Sequence, residues 1–206
     1  MAEPLLDLGV LLAGGKGRRM GGVDKGALML GDQRLADIAI NKLRPLSRQL
    51  AVSANAAPDW MPEYAQLIED RLDSEGASVG PAGGIIAALE ATQSGYGEGG
   101  LMGTMPLDAP FVPVDLFARL LEAMGDADVI LARHQDRLQP VFGIWRARVA
   151  GKARQIVFGQ GQHSLHGLTK ALSMRTLDLD LGDEAFVNIN TAEDLNRART
   201  IHEAGH

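Results

Sequence analysis

The sequence has no cysteine, no long hydrophobic run and no excess of positive charge. The absence of cysteine excludes disulfides, thiolate zinc sites and thiol nucleophiles, and it suits the reducing cytoplasm, which is the predicted compartment. Only a short apolar run follows the N-terminal residues, and no basic segment precedes it, so we predict neither a signal peptide nor a membrane span. The net charge of −6 leads us to expect neither nucleic acid nor a membrane as a partner, and it favours a small anionic ligand.

Glycine is the residue present in excess. The chain has 25 glycines in 206 residues, nearly twice the average usage, which indicates many tight turns. This length suffices for one domain with one hydrophobic core, and no repeat or composition break marks a boundary. We therefore predict a single domain over residues 1–206.

A glycine-rich basic loop follows the first apolar segment. Residues 11–26 contain six glycines together with Lys16, Arg18, Arg19 and Lys25. Glycine allows successive backbone N–H groups to turn toward one centre, and such a nest with nearby cations suits a polyphosphate. The loop lacks the third glycine of the dinucleotide fingerprint and the Gly-Lys-Ser/Thr of a P-loop, which disfavours both of those classes.

Short apolar segments alternate with helical patterns along the chain. The predicted strands are 8–12, 50–53, 65–68, 100–104, 129–132, 141–145 and 186–189, with a short extended piece at 27–30; the predicted helices are 34–43, one ending near 94, 113–124, 149–157, 165–172 and 192–202. This alternation predicts an α/β fold: a three-layer, Rossmann-like domain with a mostly parallel sheet and helices on both faces.

Polar side chains follow several of these strands: Asn55, Asp70, Asp108, Asn188 and Asn190. Ligands of parallel sheets bind outside the carboxyl ends of the strands, so these positions are expected to converge on one site. Each also has a purely structural explanation, since Asn and Asp commonly form turns or loop hydrogen bonds. The spacing of Thr191 and Asp194 predicts a capping box that opens the last helix at Ala192.

Asp108 is the predicted metal ligand. It lies between Pro106 and Pro110 just beyond a strand, so its carboxylate is stiffly placed. Phosphate-bound Mg²⁺ is typically anchored by one or two carboxylates, which makes Mg²⁺ the expected cofactor. The alternative is a structural aspartate in a proline turn.

We predict no metal site among the histidines. His163 and His166 are three residues apart, but no third ligand is near them in the sequence, so a zinc site is not expected. His134 is predicted to lie on the surface, in a polar connection between two strands that could face a second substrate.

Two motifs resemble those of the molybdenum cofactor guanylyltransferases. The loop L-A-G-G-x-G-x-R-M-G-G-x-D-K-G, from Leu12 to Gly26, is similar to the family's signature loop, and F-x-N-I-N-T-A-E-D-L, from Phe186 to Leu195, differs from the family's C-terminal motif only by Ala192 in place of proline. The residues to which the resemblance assigns nucleotide contacts are Leu12, Ala13, Gly14, Gly15, Lys25, Asn55, Asp70 and Asp108. It also implies that Arg19 and Lys25 hold the triphosphate. Asn188 and Asn190 would be active-site amides that either contact the cofactor substrate or supply a weak second metal contact.

The resemblance implies a nucleotidyltransferase fold and a specific reaction. In that reaction the terminal phosphate of molybdenum-bearing molybdopterin attacks the α-phosphorus of GTP and expels pyrophosphate. Arg19, Lys25 and Asp108 would be the catalytic residues, with Mg²⁺ on Asp108. Other proteins of molybdenum cofactor biosynthesis and apo-molybdoenzymes would be the partners.

Three alternatives remain at this stage. A cytidylyltransferase usually has alanine where this chain has Gly14, and a sugar-phosphate nucleotidyltransferase would not need the segment from Asn188 to Leu195. A non-catalytic GTP- or cofactor-binding carrier would not need Asp108 or Lys25.

Overall fold

Seven strands form one sheet in the part of the chain that the structure, a computed structural model, describes: residues 4–14 and 23–205. The strands are β1 (Leu6–Leu12), β2 (Met29–Leu30), β3 (Gln33–Arg34), β4 (Ser47–Ser53), β5 (Gln66–Ile68), β6 (Leu101–Pro106), β7 (Val129–His134), β8 (Arg137–Arg146) and β9 (Met174–Asp178). The helices are α1 (Leu35–Leu43), α2 (Pro81–Tyr96), α3 (Leu116–Met124), α4 (Ala150–Arg154), α5 (Leu165–Lys170) and α6 (Ala192–Glu203).

The sheet is mostly parallel. Its strand order is β5-β4-β1-β6-β8-β7-β9, and β2 and β3 form a separate small hairpin. β1 pairs in parallel with β4 and β6, β4 with β5, and β7 with β9, whereas β8 runs antiparallel to β6 and β7. The predicted α/β class with a mostly parallel sheet is confirmed.

Helices cover both faces of the sheet because successive strand side chains point to opposite faces. Val10 of β1 belongs to the core layer that contains Ile85 of α2. The next residue, Leu11, belongs to the layer that contains Leu43 of α1 and Phe117 of α3. The two core layers with the sheet between them form the predicted three-layer arrangement.

Proline and glycine set the ends of the main helices. α1 ends just before Pro45, α2 begins at Pro81 and ends before Gly97 (φ 73°), and α3 ends before Gly125 (φ 52°). Proline fits the first helical turn, and a left-handed glycine reverses the chain after the last turn. Within residues 4–14 and 23–205 we find no helix that combines the length and hydrophobicity needed to cross a bilayer.

The predicted strand over 186–189 is wrong. This segment is a turn followed by irregular chain, and the N–H of Val187 donates to the carbonyl of Glu184 at 3.0 Å. Phe186 and Ile189 are nevertheless buried, so the apolar pattern reflects two side chains that enter the core without strand pairing.

Other boundaries also differ from the prediction. β9 was not predicted, because it is an edge strand whose five residues, Met-Arg-Thr-Leu-Asp, are all at least partly exposed. The helix predicted over 149–157 is the short α4 followed by a π-helical turn at Gln155–Gly159. The helix predicted over 165–172 ends at Lys170, and the extended piece predicted over 27–30 includes a one-turn 3-10 helix, Lys25–Ala27, followed by β2.

His134 is buried rather than on the surface, which corrects the prediction. It is 7% exposed at the end of β7, its ring centroid lies 5.5 Å from that of Phe186, and its Nδ1 lies 3.0 Å from the carbonyl oxygen of Leu179. A carbonyl can only accept, so Nδ1 carries the proton and donates it. The histidine therefore fastens the end of β7 to the chain that follows β9.

A capping box opens α6 as predicted. The hydroxyl of Thr191 accepts a hydrogen bond from the N–H of Asp194 at 3.1 Å. The Asp194 carboxylate accepts in return from the N–H groups of Asn190 and Thr191 at 2.9 and 2.8 Å. The N–H of Asn190 contributes most to holding the pKa of Asp194 below its usual value, and the nearby Lys25 adds a smaller attraction.

We expect Asp194→Ala to lower the urea midpoint of unfolding at pH 7. The pKa of Asp194 is lower in the folded chain than in the unfolded chain, so its stabilisation is complete above the unfolded value of about 4 and is lost as the pH falls through the folded value. The difference in midpoint between wild type and variant should therefore narrow below about pH 4.

Glu193→Ala is the matched control, because it removes an exposed acid from the same first turn of α6. It should lower the midpoint less than Asp194→Ala at pH 7. Equal losses in the two variants would mean that Asp194 acts only through its charge near the helix terminus and not through the cap.

Candidate active site

A cavity of about 540 Å³ opens at the carboxyl ends of the parallel strands. β1 and β4 end in Leu12 and Ser53, and Asp70 and Asp108 follow β5 and β6 by two residues. The side chains and backbone that line the cavity belong to Leu12, Gly14, Ser53, Asn55, Asp70, Ser78, Gly80, Pro81, Pro106, Asp108 and Val141. This is where an open parallel sheet binds its ligands.

The structure brings together most of the residues predicted for the site. Leu12, Gly14, Asn55, Asp70 and Asp108 line the cavity directly. Ala13 lies between two of them, and its N–H donates to the carbonyl of Ser53 at 3.0 Å. Gly15 and Arg19 lie outside the described residues.

Lys25, Asp108 and Asn190 meet beside the cavity although they are far apart in the sequence. The ammonium of Lys25 donates to Asp108 Oδ2 at 2.6 Å and to Asn190 Oδ1 at 2.7 Å. The side chains of Lys25 and Asp108 are 23% and 16% exposed, so water screens their attraction only partly. Asn188, by contrast, is exposed and is not among the residues that line the cavity.

Asn190 reaches the site without the strand that was predicted to position it. The N–H of Ile189 donates to the carbonyl of Asp108 at 2.9 Å, which fixes the irregular segment to the loop after β6. Asp194 holds the backbone of Asn190 from the other side through the α6 cap. Two hydrogen bonds from backbone N–H groups therefore position Asn190, in place of the predicted strand.

The loop that contains Asp108 is also fixed by Lys42 of α1. The Lys42 ammonium donates to the carbonyl of Val112 at 2.5 Å. Burial of Lys42 lowers the pKa of its amine. This contact joins α1 to the far end of the Asp108 loop.

Asp24 and Trp60 position Lys25, and neither was predicted from the sequence to have this role. Asp24 caps the 3-10 turn Lys25–Ala27 by accepting from the N–H of Gly26 at 2.9 Å, and it also accepts from Trp60 Nε1. A Cβ at Gly26 would lie 2.2 Å from Trp60 Nε1, so only glycine allows this approach. The Asp-x-Gly spacing is a visible capping signal, but nothing in the sequence marks Trp60 as its partner.

Gly14 faces the Asp70 carboxylate at the other end of the cavity. A Cβ on Gly14 would lie 2.8 Å from Asp70 Oδ2, closer than real Cβ contacts. Alanine at this position would therefore require the carboxylate to move. Ser53, whose hydroxyl donates to Asp70 Oδ1 at 2.6 Å, is a further cavity residue that the sequence argument missed.

Comparisons with known proteins identify the family to which the chain belongs. The family model of the MobA-like NTP transferase domain matches residues 9–176. A molybdenum cofactor guanylyltransferase of Vibrio vulnificus is 31% identical over 198 residues, covering 96% of this chain and 97% of its own length. One from Cereibacter sphaeroides is 36% identical over 203 residues, covering 94% of this chain and 95% of its own.

Solved structures show the same fold. Molybdopterin-guanine dinucleotide biosynthesis protein A from Archaeoglobus fulgidus superposes with a TM-score of 0.73 at 23% identity, covering 96% of this chain and 99% of its own. The 2-C-methyl-D-erythritol 4-phosphate cytidylyltransferase of Thermus thermophilus superposes with a TM-score of 0.64 at 18% identity, covering 96% of this chain and 100% of its own. The cytidylyltransferase is thus related in fold, whereas the full-length relatives at 31–36% identity share one name. The chain belongs to the molybdenum cofactor guanylyltransferase family of MobA-like nucleotidyltransferases.

Proposed function

We propose that this protein transfers GMP from GTP to the terminal phosphate of molybdenum-bearing molybdopterin, with release of pyrophosphate. The observation that supports the proposal most directly is the meeting of Lys25, Asp108 and Asn190 beside a cavity large enough for a nucleotide. The names of the full-length relatives indicate the two substrates.

The proposed reaction is an in-line displacement at phosphorus. An oxygen of the molybdopterin phosphate forms a bond to the α-phosphorus of GTP. The bond from that phosphorus to the bridging oxygen of the β-phosphate breaks, and pyrophosphate leaves with the electron pair. Such a step depends on alignment and charge neutralisation rather than on a covalent intermediate.

Lys25 is proposed to stabilise the charge that develops on the leaving pyrophosphate. Its ammonium is held by Asp108 and Asn190, and the Asp24 cap fixes its backbone. Because this cation is already in position, little reorganisation is needed when negative charge develops on the leaving group. Arg19 is proposed to act with Lys25 on the triphosphate.

Asp108 is proposed to hold Mg²⁺, with Asn190 as a second contact. Residues 4–14 and 23–205 contain no cluster of three or more histidine or acidic side chains that could bind a metal by themselves. Asp108 and Asn190 nevertheless each present a hard oxygen beside the cavity, and each of these oxygens has a lone pair besides the one that accepts from Lys25, so a metal would share them with Lys25 and not replace it. This set fits an ion that takes its remaining ligands from phosphates and water. Magnesium bound there would neutralise phosphate charge.

The proposed function also implies partner proteins and a cellular compartment. Molybdopterin must be supplied by other proteins of cofactor biosynthesis, and the dinucleotide product must pass to apo-molybdoenzymes. We propose the cytoplasm as the compartment, because GTP is available there.

The decisive test of the function is pyrophosphate release by purified protein with Mg²⁺ and molybdenum-bearing molybdopterin, with GTP, CTP or ATP offered separately. We expect release with GTP alone. Release with CTP instead would overturn the assignment of the base and keep the reaction type. Tight GTP binding without release from any nucleotide would favour a carrier.

We expect Asp108→Asn to lower kcat by at least about 10²-fold, because it removes the proposed metal ligand while keeping the side-chain shape. Steady-state kinetics over a range of Mg²⁺ concentrations measures the loss. Asp115→Asn, which changes an exposed acid at the start of α3, is the control and should keep wild-type kinetics. Wild-type activity of Asp108→Asn in a folded protein would exclude Asp108 from metal binding.

We expect Lys25→Ala to lower kcat by about 10²-fold and to change the Kd for GTP much less, because its charge is most useful when the leaving group becomes negative. Single-turnover kinetics and calorimetric titration separate the two effects. Lys152→Ala, at an exposed lysine of α4, serves as the control for loss of a positive charge. A loss confined to GTP binding would contradict the catalytic role of Lys25.

A further inference from the structure

We propose that Ser53 is a positioning residue, whose hydroxyl orients the Asp70 carboxylate to accept a hydrogen bond from the nucleoside part of the nucleotide. The inference rests on the proposed function, because it assumes a nucleotide in the cavity. It assigns a task to a residue that neither the sequence motifs nor the charge of the site identifies.

Ser53 contacts the Asp70 carboxylate directly. Ser53 is the last residue of β4 and is 1% exposed, and its Oγ donates to Asp70 Oδ1 at 2.6 Å. Both residues line the cavity. Within the described residues Asp70 Oδ2 receives no hydrogen bond, so one carboxylate oxygen is fixed by Ser53 and the other is open to a donor.

Two glycines border the space around the Asp70 carboxylate. A Cβ on Gly84 of α2 would lie 2.1 Å from Ser53 Oγ and 2.8 Å from Asp70 Oδ1, and a Cβ on Gly14 would lie 2.8 Å from Asp70 Oδ2. Two glycines thus allow the carboxylate to lie between β1 and α2. The one polar side chain that contacts it there, among those described, is Ser53.

The backbone around Asp70 is also fixed. The N–H of Ala54 donates to the carbonyl of Ile68 at 3.1 Å, and the N–H of Arg71 donates to the carbonyl of Gly83 at 3.2 Å. These bonds tie the loop after β5 to β4 on one side and to α2 on the other. With the backbone held on both sides of Asp70, its side-chain torsions are the main freedom that remains, and the Ser53 hydroxyl restricts them.

The charge of Asp70 is not neutralised by the neighbouring arginine. Arg71, the cation next to Asp70 in the sequence, pairs with Glu90 of α2 at 2.7 Å. In the described part of the chain no cation pairs with Asp70, so its carboxylate remains an acceptor for neutral donors. Guanosine presents two kinds of neutral donor, the ribose hydroxyls and the N–H groups of the base. A correctly aimed charged acceptor strengthens either hydrogen bond.

The test is a double-mutant cycle on nucleotide binding. Calorimetry gives the Kd of GTP for wild type, Ser53→Ala, Asp70→Ala and the double variant. We expect Ser53→Ala to weaken GTP binding by about tenfold in the wild-type background, the effect of one hydrogen bond to a charged group, and by less than about twofold in the Asp70→Ala background.

Two probes distinguish positioning from a general structural effect. Inorganic tripolyphosphate has no nucleoside, so Ser53→Ala should leave its Kd unchanged. Ser78→Ala changes another serine of the cavity wall, whose hydroxyl accepts from the N–H of Gly80 and does not contact Asp70, so its effect should be the same in both backgrounds. The 2′-deoxy and 3′-deoxy forms of GTP and inosine triphosphate then show which donor faces Asp70.

The outcomes separate this inference from the proposed function. Equal weakening by Ser53→Ala with and without Asp70 would overturn positioning, as would an equal loss of tripolyphosphate binding. If wild-type protein releases pyrophosphate with GTP while the cycle shows no coupling, only the role of Ser53 is wrong. Wild-type protein that binds no nucleotide would overturn both proposals.

Discussion

The parallel pairing of β1 with β4 and β6 is the constraint on which the site depends. In this register Leu12 lies opposite both Ser53 and Pro106, and Ser53 lies opposite Ile68. The ends of four strands are therefore level, and the polar residues that follow them meet at one edge. A slip of one residue in any pair would turn its side chains to the other face of the sheet, so the buried pattern of each strand also fixes the geometry of the cavity.

Different interactions hold the side chains at the two ends of the cavity. At one end the Lys25 ammonium contacts both the Asp108 carboxylate and the Asn190 amide. Lys25 and Asp108 depend on each other, because removing either leaves a mostly buried charge without its partner. At the other end the Asp70 carboxylate fits only because Gly14 and Gly84 have no side chains, which leaves space for it. Charge pairing thus organises the first end, and the available space organises the second.

The sequence predicted the parts of the fold that repeat a local signal. β1 and the second half of β4 are apolar, α3 has a clear buried stripe, and α6 begins with a capping box, so each could be found from its own residues. β9 is polar and exposed because it is an edge strand, and its pairing with β7 depends on tertiary contacts. Trp60 and His134 were missed or misplaced for the same reason: their partners, Asp24 and the carbonyl of Leu179, are 36 and 45 residues away. For the site, the sequence identified most of the chemical groups but not the residues that orient them.

The hydrogen bond between Ile189 and Asp108 affects the order in which the site can form during biosynthesis. A chain is synthesised from its N-terminus, and the strands that form the cavity emerge well before α6. Asn190, the Asp194 cap and the hydrogen bond to the Asp108 carbonyl all come from the last part of the chain. A nascent chain can therefore form the sheet and the Asp70 end of the cavity first, and the Lys25 end is completed only when the final helix has been synthesised and has docked.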